Sequence, residues 1–168
     1  MDFEEADALL QAIRLLSLRH RARAAGLLTP LGLHTGQEAL LLELARTGPM
    51  IQAKLAGLLG CEPPSVTLMT TKLEAAGHIR RTPSPTDKRA TVVELTDSGR
   101  KLAEQVQQLW LTLAEETVRG LPPETVAALP GLLTTLTSNV DTRQPPQAPS
   151  EVVVDKASAR PNIARRRH

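Results

Sequence analysis

The stretch PPSVTLMTTKLEAAGHIRRTPSPTDKRATVVEL, residues 63–95, reads as a helix, a turn and two strands in that order. Pro63 suits a first helical turn, where a missing N–H costs little, and Gly77 ends the pattern, which predicts a helix over about 63–76. At helical spacing Val66, Met69, Thr70 and Leu73 share one face. Pro64, Leu68 and Thr71 centre the opposite face, with Ser65, Thr67 and Lys72 on its flanks. That face is small, polar and uncharged except for Lys72. Residues 78–82 and 91–95 then read as β-strands, the second alternating and β-branched. The loop between them, 83–90, is too long and proline-rich for a tight turn and is expected to project.

Upstream, a short helix over about 51–59 places Leu55, Leu58 and Leu59 on its apolar side, and Gly60 suits a left-handed helix end. Before it, Thr35-Gly36-Gln37-Glu38 has the form of a capping box, predicting a helix from Thr35 to the Gly48-Pro49 break. A first helix is expected over 5–25, with Ala6, Leu9, Leu10, Ile13 and Leu16 in register. Arg19, His20, Arg21 and Arg23 are placed at its C-terminus, and Gly26, Pro30 and Gly32 break it. Downstream, Thr96 caps a helix over 97–119 that would span about 35 Å, more than one small domain needs. A last helix, 124–139, contains Pro130-Gly131 and is expected to kink there. From Asp141 the chain is rich in Pro, Ala, Ser and Arg and is predicted to be disordered.

Two short helices joined by a tight glycine turn, then a hairpin with a long loop, give a mainly α fold with a small β-hairpin wing: a winged helix-turn-helix. The helix over 63–76 would enter the DNA major groove.

The chain has 168 residues, enough for one domain and a tail. Its net charge of +2 is unevenly placed: residues 141–168 carry six basic and three acidic side chains, and 54–101 carry eight basic against five acidic. A basic segment in a near-neutral body points to a local polyanion contact. With Phe3 and Trp110 as its aromatics and no Tyr, the chain is poorly equipped to stack unpaired bases, which disfavours single-stranded nucleic acid. Cys61 alone excludes an internal disulfide and a multi-thiolate zinc site, and fits a cytosolic protein. No apolar run approaches the ~20 residues that span a bilayer, and the acidic start MDFEEADALL lacks the basic opening of a signal peptide. No cofactor is expected. A cysteine hydrolase would need Cys61 beside an oriented His, and no such spacing occurs, so an enzyme is not expected.

Candidate DNA contacts follow from residue type. Arg89, at the wing tip, suits a narrow, negative minor groove, with Asp87 holding it in place. Ser65, Thr67 and Thr71 offer hydroxyls to base edges, Leu68 suits a thymine methyl, and Pro64 lies on the same face. Lys72, Arg80, Arg81 and Lys88 are phosphate candidates. Cys61, in the turn before the helix, reads first as a small packing residue and second as an oxidant sensor. A winged-helix module binding protein rather than DNA is the alternative.

The stretches Gly32-Leu33-His34-Thr35-Gly36-Gln37, Lys54-Leu55-Ala56, Ser65-Val66-Thr67, residues 73–81 (LEAAGHIRR), Asp87-Lys88-Arg89 and Leu95-Thr96-Asp97-Ser98-Gly99 occur in an order and spacing that resemble the MarR family of bacterial transcription regulators. With the flanking helices the resemblance covers about 5–140. It implies an obligate homodimer in which the first and last two helices intertwine. The layout is then a dimerisation helix over 1–32, a winged domain over 33–96, dimerisation helices over 97–140 and a basic tail over 141–168. It also implies recognition of an inverted-repeat operator in double-stranded DNA, and release by a small-molecule or oxidant effector. Trp110, in the long helix, reads first as a packing residue at the dimer seam; second, a ligand pocket between the helical region and the winged domain would use it, with Arg14 or His20 binding an anion. Two departures bear on the site. Ile51 stands where the family often has a capping Thr or Ser, a loss of ~1 kcal/mol. Pro63 and Pro64 remove two N–H groups from a helix start that could otherwise bind phosphate.

Overall fold

The computed structural model describes residues 1–87 and 89–141. The expected tail beyond Asp141 and the wing residue Lys88 lie outside them. The first helix, α1, is Phe3–Leu28. It begins earlier than its apolar period suggests because Asp2 and Glu5 form a reciprocal cap: the Glu5 N–H donates to Asp2 at 2.9 Å and the Asp2 N–H to Glu5 at 3.1 Å. It also runs on through Gly26. The cluster Arg19–Arg23 therefore lies in the body of the helix, and the last turn holds no basic residue. The true end is a single 3-10 turn, Thr29–Leu31, closed by Gly32, after Leu28 has inserted fully into the core.

Helix α2, Gln37–Thr47, starts two residues later than the sequence suggests. The expected Thr35 capping box does not form, because Gly36 holds the cap position at φ 102° and leaves Thr35 outside the helix. The side chains inside the first turn reach back instead. Gln37 Oε1 accepts from the His34 N–H at 2.8 Å and Glu38 Oε2 from the Gly36 N–H at 2.6 Å.

A two-residue strand, β1 (Met50–Ile51), precedes α3 (Gln52–Leu59). Ile51 sits at the N-cap without a side-chain bond, as its apolar side chain dictates. Leu55 is buried, but Leu58, expected with it, is exposed. Gly60 takes the left-handed conformation, φ 62°, and turns the chain into α4 (Pro63–Ala75). Strands β2 (Ile79–Pro83) and β3 (Thr91–Leu95) form the hairpin. The antiparallel sheet runs β1-β3-β2, with Ile79 opposite Leu95, Arg81 opposite Val93, and Met50 opposite Val93 on the other edge.

Helix α5, Asp97–Val118, is capped by Thr96, which accepts from the Gly99 N–H at 3.1 Å. Leu102, Ala103 and Val106 join Leu40, Leu41, Leu55, Val66, Leu73 and Val93 in one core. Trp110 is half-buried against it. These elements form one unit, 1–121. In the second unit, helix α6 (Pro123–Asn139) has Pro130 within it and no buried residue.

Candidate nucleic-acid interface

The buried face of α4 is Val66, Thr70 and Leu73, with Met69 half-buried, as the periodicity requires. Pro64, Ser65, Thr67, Leu68, Thr71 and Lys72 are all exposed on the other side. Leu68 is 58% exposed, although burying it would recover roughly 25 cal/mol for each Å² removed from water. An apolar side chain held out among hydroxyls suits a surface that meets a partner.

The start of α4 is closed to phosphate. Pro63 and Pro64 lack N–H groups, and those of Ser65 and Val66 both donate to the Glu62 carbonyl, at 2.9 and 3.3 Å. The wing is a built loop. The Ser84 N–H donates to the Ala90 carbonyl at 2.8 Å, closing its base, and the buried Ser84 hydroxyl lies 3.4 Å from the N–H groups of Thr86 and Asp87. Asp87 accepts from the Arg89 backbone N–H at 2.9 Å. It thus sets the backbone of Arg89 and leaves the guanidinium exposed. Asp87, Arg89, Gln52 and Thr67 line one open cleft of about 500 Å³ between the wing and the start of α4. Wing and helix thereby face the same space.

The two strand arginines part company. Arg80 is 67% exposed and pairs with Glu94 across the hairpin, Nε to Oε1 at 2.8 Å. Arg81 is only 27% exposed. Its Nε donates to Glu74 Oε2 at 2.7 Å, its backbone N–H to Glu74 Oε1 at 3.2 Å, and its Nη1 to Thr71 Oγ1 at 3.4 Å. The guanidinium holds the Glu74 carboxyl below the usual carboxylate range, chiefly through its hydrogen bond. Arg81 ties β2 to α4, and its guanidinium stands out less than that of Arg80. Period-two alternation carries the signal: Ile79 is buried, so Arg81 shares its inward face.

A second network escaped sequence reasoning. Gln52, at the start of α3, donates from Nε2 to Thr67 Oγ1 at 3.1 Å, and Thr70 Oγ1 lies 3.4 Å from Gln52 Oε1. No local pattern connects residues 15 positions apart on different helices.

The expected ligand residues do not share one lining in the cleft that holds His20. His20 lines an open cleft of about 260 Å³ between α1 and α5 with Leu16, Arg19, Arg23, Leu113 and Glu116. Arg14 and Trp110 are not in its lining, and Trp110 packs on the core instead. Within the cleft Arg23 grips Glu116 with two bonds of 2.7 Å. The Cys61 side chain is half-buried against the core and its thiol donates to the Leu59 carbonyl at 3.4 Å, which matches the packing role. Among the described residues no cluster of His, Cys, Asp or Glu could hold a metal ion.

The MarR family model matches residues 34–91. The chain is 31% identical over 107 residues to the multiple antibiotic resistance protein MarR of Escherichia coli, covering 63% of this chain and 74% of that one. It is 33% identical over 97 residues to an uncharacterized HTH-type transcriptional regulator, YwoH, of Bacillus subtilis, covering 58% and 70%. Among solved structures, a mutant Escherichia coli MarR complexed with operator DNA superposes with a TM-score of 0.71 at 28% identity, over 81% of this chain and 99% of that one. The Staphylococcus aureus MepR–DNA complex shares the fold, with a TM-score of 0.71 at 23% identity, over 77% and 96%.

Proposed function

Since the chain belongs to the MarR family of transcription regulators, we propose that it binds double-stranded operator DNA as a homodimer and represses until a small-molecule effector releases it. One observation carries the reading: Thr67, on the exposed face of α4, and the exposed Arg89 of the wing line the same cleft. In this reading α4 enters the major groove, Arg89 reaches the adjoining minor groove, and Lys72 and Arg80 meet phosphates. The solved complex of a relative with operator DNA supports DNA as the partner. A dimer is supported by Leu9, Leu10, Ile13 and Leu16, all exposed on α1. Two-fold symmetry then calls for an inverted repeat with half-sites about one helical turn apart. The same kinship supports a soluble, cytoplasmic regulator rather than an enzyme, and the reading calls for no cofactor. The packing of Cys61 favours a small molecule over an oxidant as effector.

The test is duplex binding measured against salt. Neutralising phosphates releases counterions, so affinity falls steeply as salt rises. Binding to one duplex sequence far above scrambled DNA, with that slope, supports the reading. Capture of a protein partner with no salt-dependent duplex binding supports the interaction module instead.

A further inference from the structure

We propose that Glu74 masks the charge of Arg81, so that the chain meets DNA with one phosphate-binding cation fewer than its sequence carries. Glu74 then sets how strongly the chain is drawn to any duplex. The inference rests on the DNA-binding reading above.

Residues 54–101 carry eight basic side chains, but their charge is not equally open to a partner. Arg80 is paired with Glu94, Arg81 with Glu74 and Arg100 with Asp97. The pairs differ in cover: the side chains of Arg80 and Arg100 are 67% and 58% exposed, that of Arg81 only 27%. An exposed pair gains little over its solvated charges, so Arg80 and Arg100 can turn to a phosphate at small cost. Arg81 is held more firmly. Its Nε donates to Glu74 Oε2 at 2.7 Å, and its Nη2 lies 2.5 Å from the same oxygen. Its backbone N–H donates to Glu74 Oε1 at 3.2 Å, which anchors the carboxylate to the strand beside the guanidinium. The Glu74 carboxyl is held below the usual carboxylate range, so the pair is ionised at neutral pH and carries no net charge.

The position gives this pair its consequence. Arg81 Nη1 lies 3.4 Å from Oγ1 of Thr71, which is exposed on the outer face of α4. An unpaired guanidinium there would stand at the edge of the surface that meets the duplex. It would attract the phosphates of any sequence, because a phosphate contact carries no sequence information. With Glu74 in place, a phosphate approaching Arg81 also approaches a carboxylate of its own sign. Counterion release then falls to cations such as Lys72 and Arg89, whose side chains are in no ion pair among the described residues.

The experiment is binding to a random-sequence duplex at several salt concentrations, for the wild type and three variants whose folding is checked by thermal melting. Glu74→Gln removes the carboxylate charge and unmasks Arg81. Its plot of log affinity against log salt should steepen by about one for each chain, a further loss of about 3-fold per chain from about 50 to 200 mM salt. Glu74→Gln combined with Arg81→Gln replaces the pair by two neutral groups and should keep the wild-type slope. Glu43→Gln releases Arg46 from a pair within α2, with the same change in net charge, and should also keep the slope. A slope that is unmoved or shallower in Glu74→Gln overturns the proposal. So does a slope lowered by about one per chain in the double variant, which would place Arg81 on a phosphate in the wild type; this comparison decides the matter if Glu74→Gln alone fails to fold. Equal steepening in Glu43→Gln overturns it as well, since the effect is then one of net charge. A wild type without salt-dependent duplex binding defeats the DNA-binding reading itself, a different result from a wild type that binds and a Glu74→Gln that does not steepen.

Discussion

Gly99, in the first turn of α5, lies against the backbone of His78: a β-carbon built on Gly99 would stand 1.9 Å from the His78 carbonyl oxygen and 2.9 Å from its carbon. The same carbonyl accepts from the Thr96 N–H at 3.0 Å, and the Thr96 hydroxyl donates to the Gly77 carbonyl at 2.7 Å. The turn that ends the α4 segment and the start of the long helix α5 are thus locked together through backbone. Neither wall can yield as a side chain would. Gly99→Ala should destabilise the fold by about 3 kcal/mol, at the upper end of overpacking. Chemical denaturation checks it, and a midpoint like that of the wild type would show that the junction is looser than the geometry requires.

Acidity should separate two carboxylates of opposite character. Glu38 is 7% exposed, and burial raises its pKa more than its backbone hydrogen bonds lower it. A raised pKa means the folded chain holds the proton more tightly than the unfolded one. That contribution is present below the ordinary carboxylate range and is lost as pH rises through the folded pKa. Glu38→Gln keeps an oxygen for the Gly36 N–H and carries no charge. It should melt higher than the wild type at neutral pH, and the difference should close in acid. Glu74 runs the other way. Its pKa is lowered by Arg81, so its contribution is present above the ordinary range and lost as pH falls through the lowered value. Glu74→Gln should flatten the acid limb of the melting profile. Parallel shifts for the two variants would refute the assignment.

The register of α4 and both hairpin strands were legible because each carries its period in full: Val66, Thr70 and Leu73 are buried, and so are Ile79, Val93 and Leu95. Strand β1 was not, since two residues are too few to show alternation. The start of α2 was misplaced because a capping-box pattern in sequence says nothing of the φ that Gly36 adopts. At the site, the exposed side chains were foreseen one by one. What each is bonded to was not, because Gln52 to Thr67 and Arg81 to Glu74 join separate elements. Charge alone made Arg81 resemble Arg80, and their burial and their partners distinguish them.

The apolar side of α1 predicts the assembly state. Leu10 and Ile13 are exposed on a helix that also contributes Leu28 to the core, so its first half is left uncovered. Sedimentation at micromolar concentration should give twice the chain mass of 18.1 kDa. Leu10→Glu with Ile13→Glu should shift it toward monomer or unfold it, as obligate dimers do. A folded wild-type monomer at that concentration would defeat the prediction.

The wing and the helix should fail in different ways when cut. Arg89 is exposed on a loop held shut by Ser84 and Ala90, and only its backbone N–H is bonded to Asp87. Arg89→Ala should therefore leave melting unchanged and weaken operator binding by about 1–3 kcal/mol. Asp87→Ala should cost less, because it shapes the loop and makes no contact of its own in this reading. Lys72 is exposed at the C-terminal half of α4. Lys72→Ala should weaken operator and scrambled duplexes alike and lower the salt slope by about one, since a charge on phosphate carries no sequence information. Titrations of both duplexes at several salt concentrations measure all three variants together. If Arg89→Ala binds the operator as tightly as the wild type, the wing is not a DNA contact, and the cleft it shares with Thr67 needs another occupant.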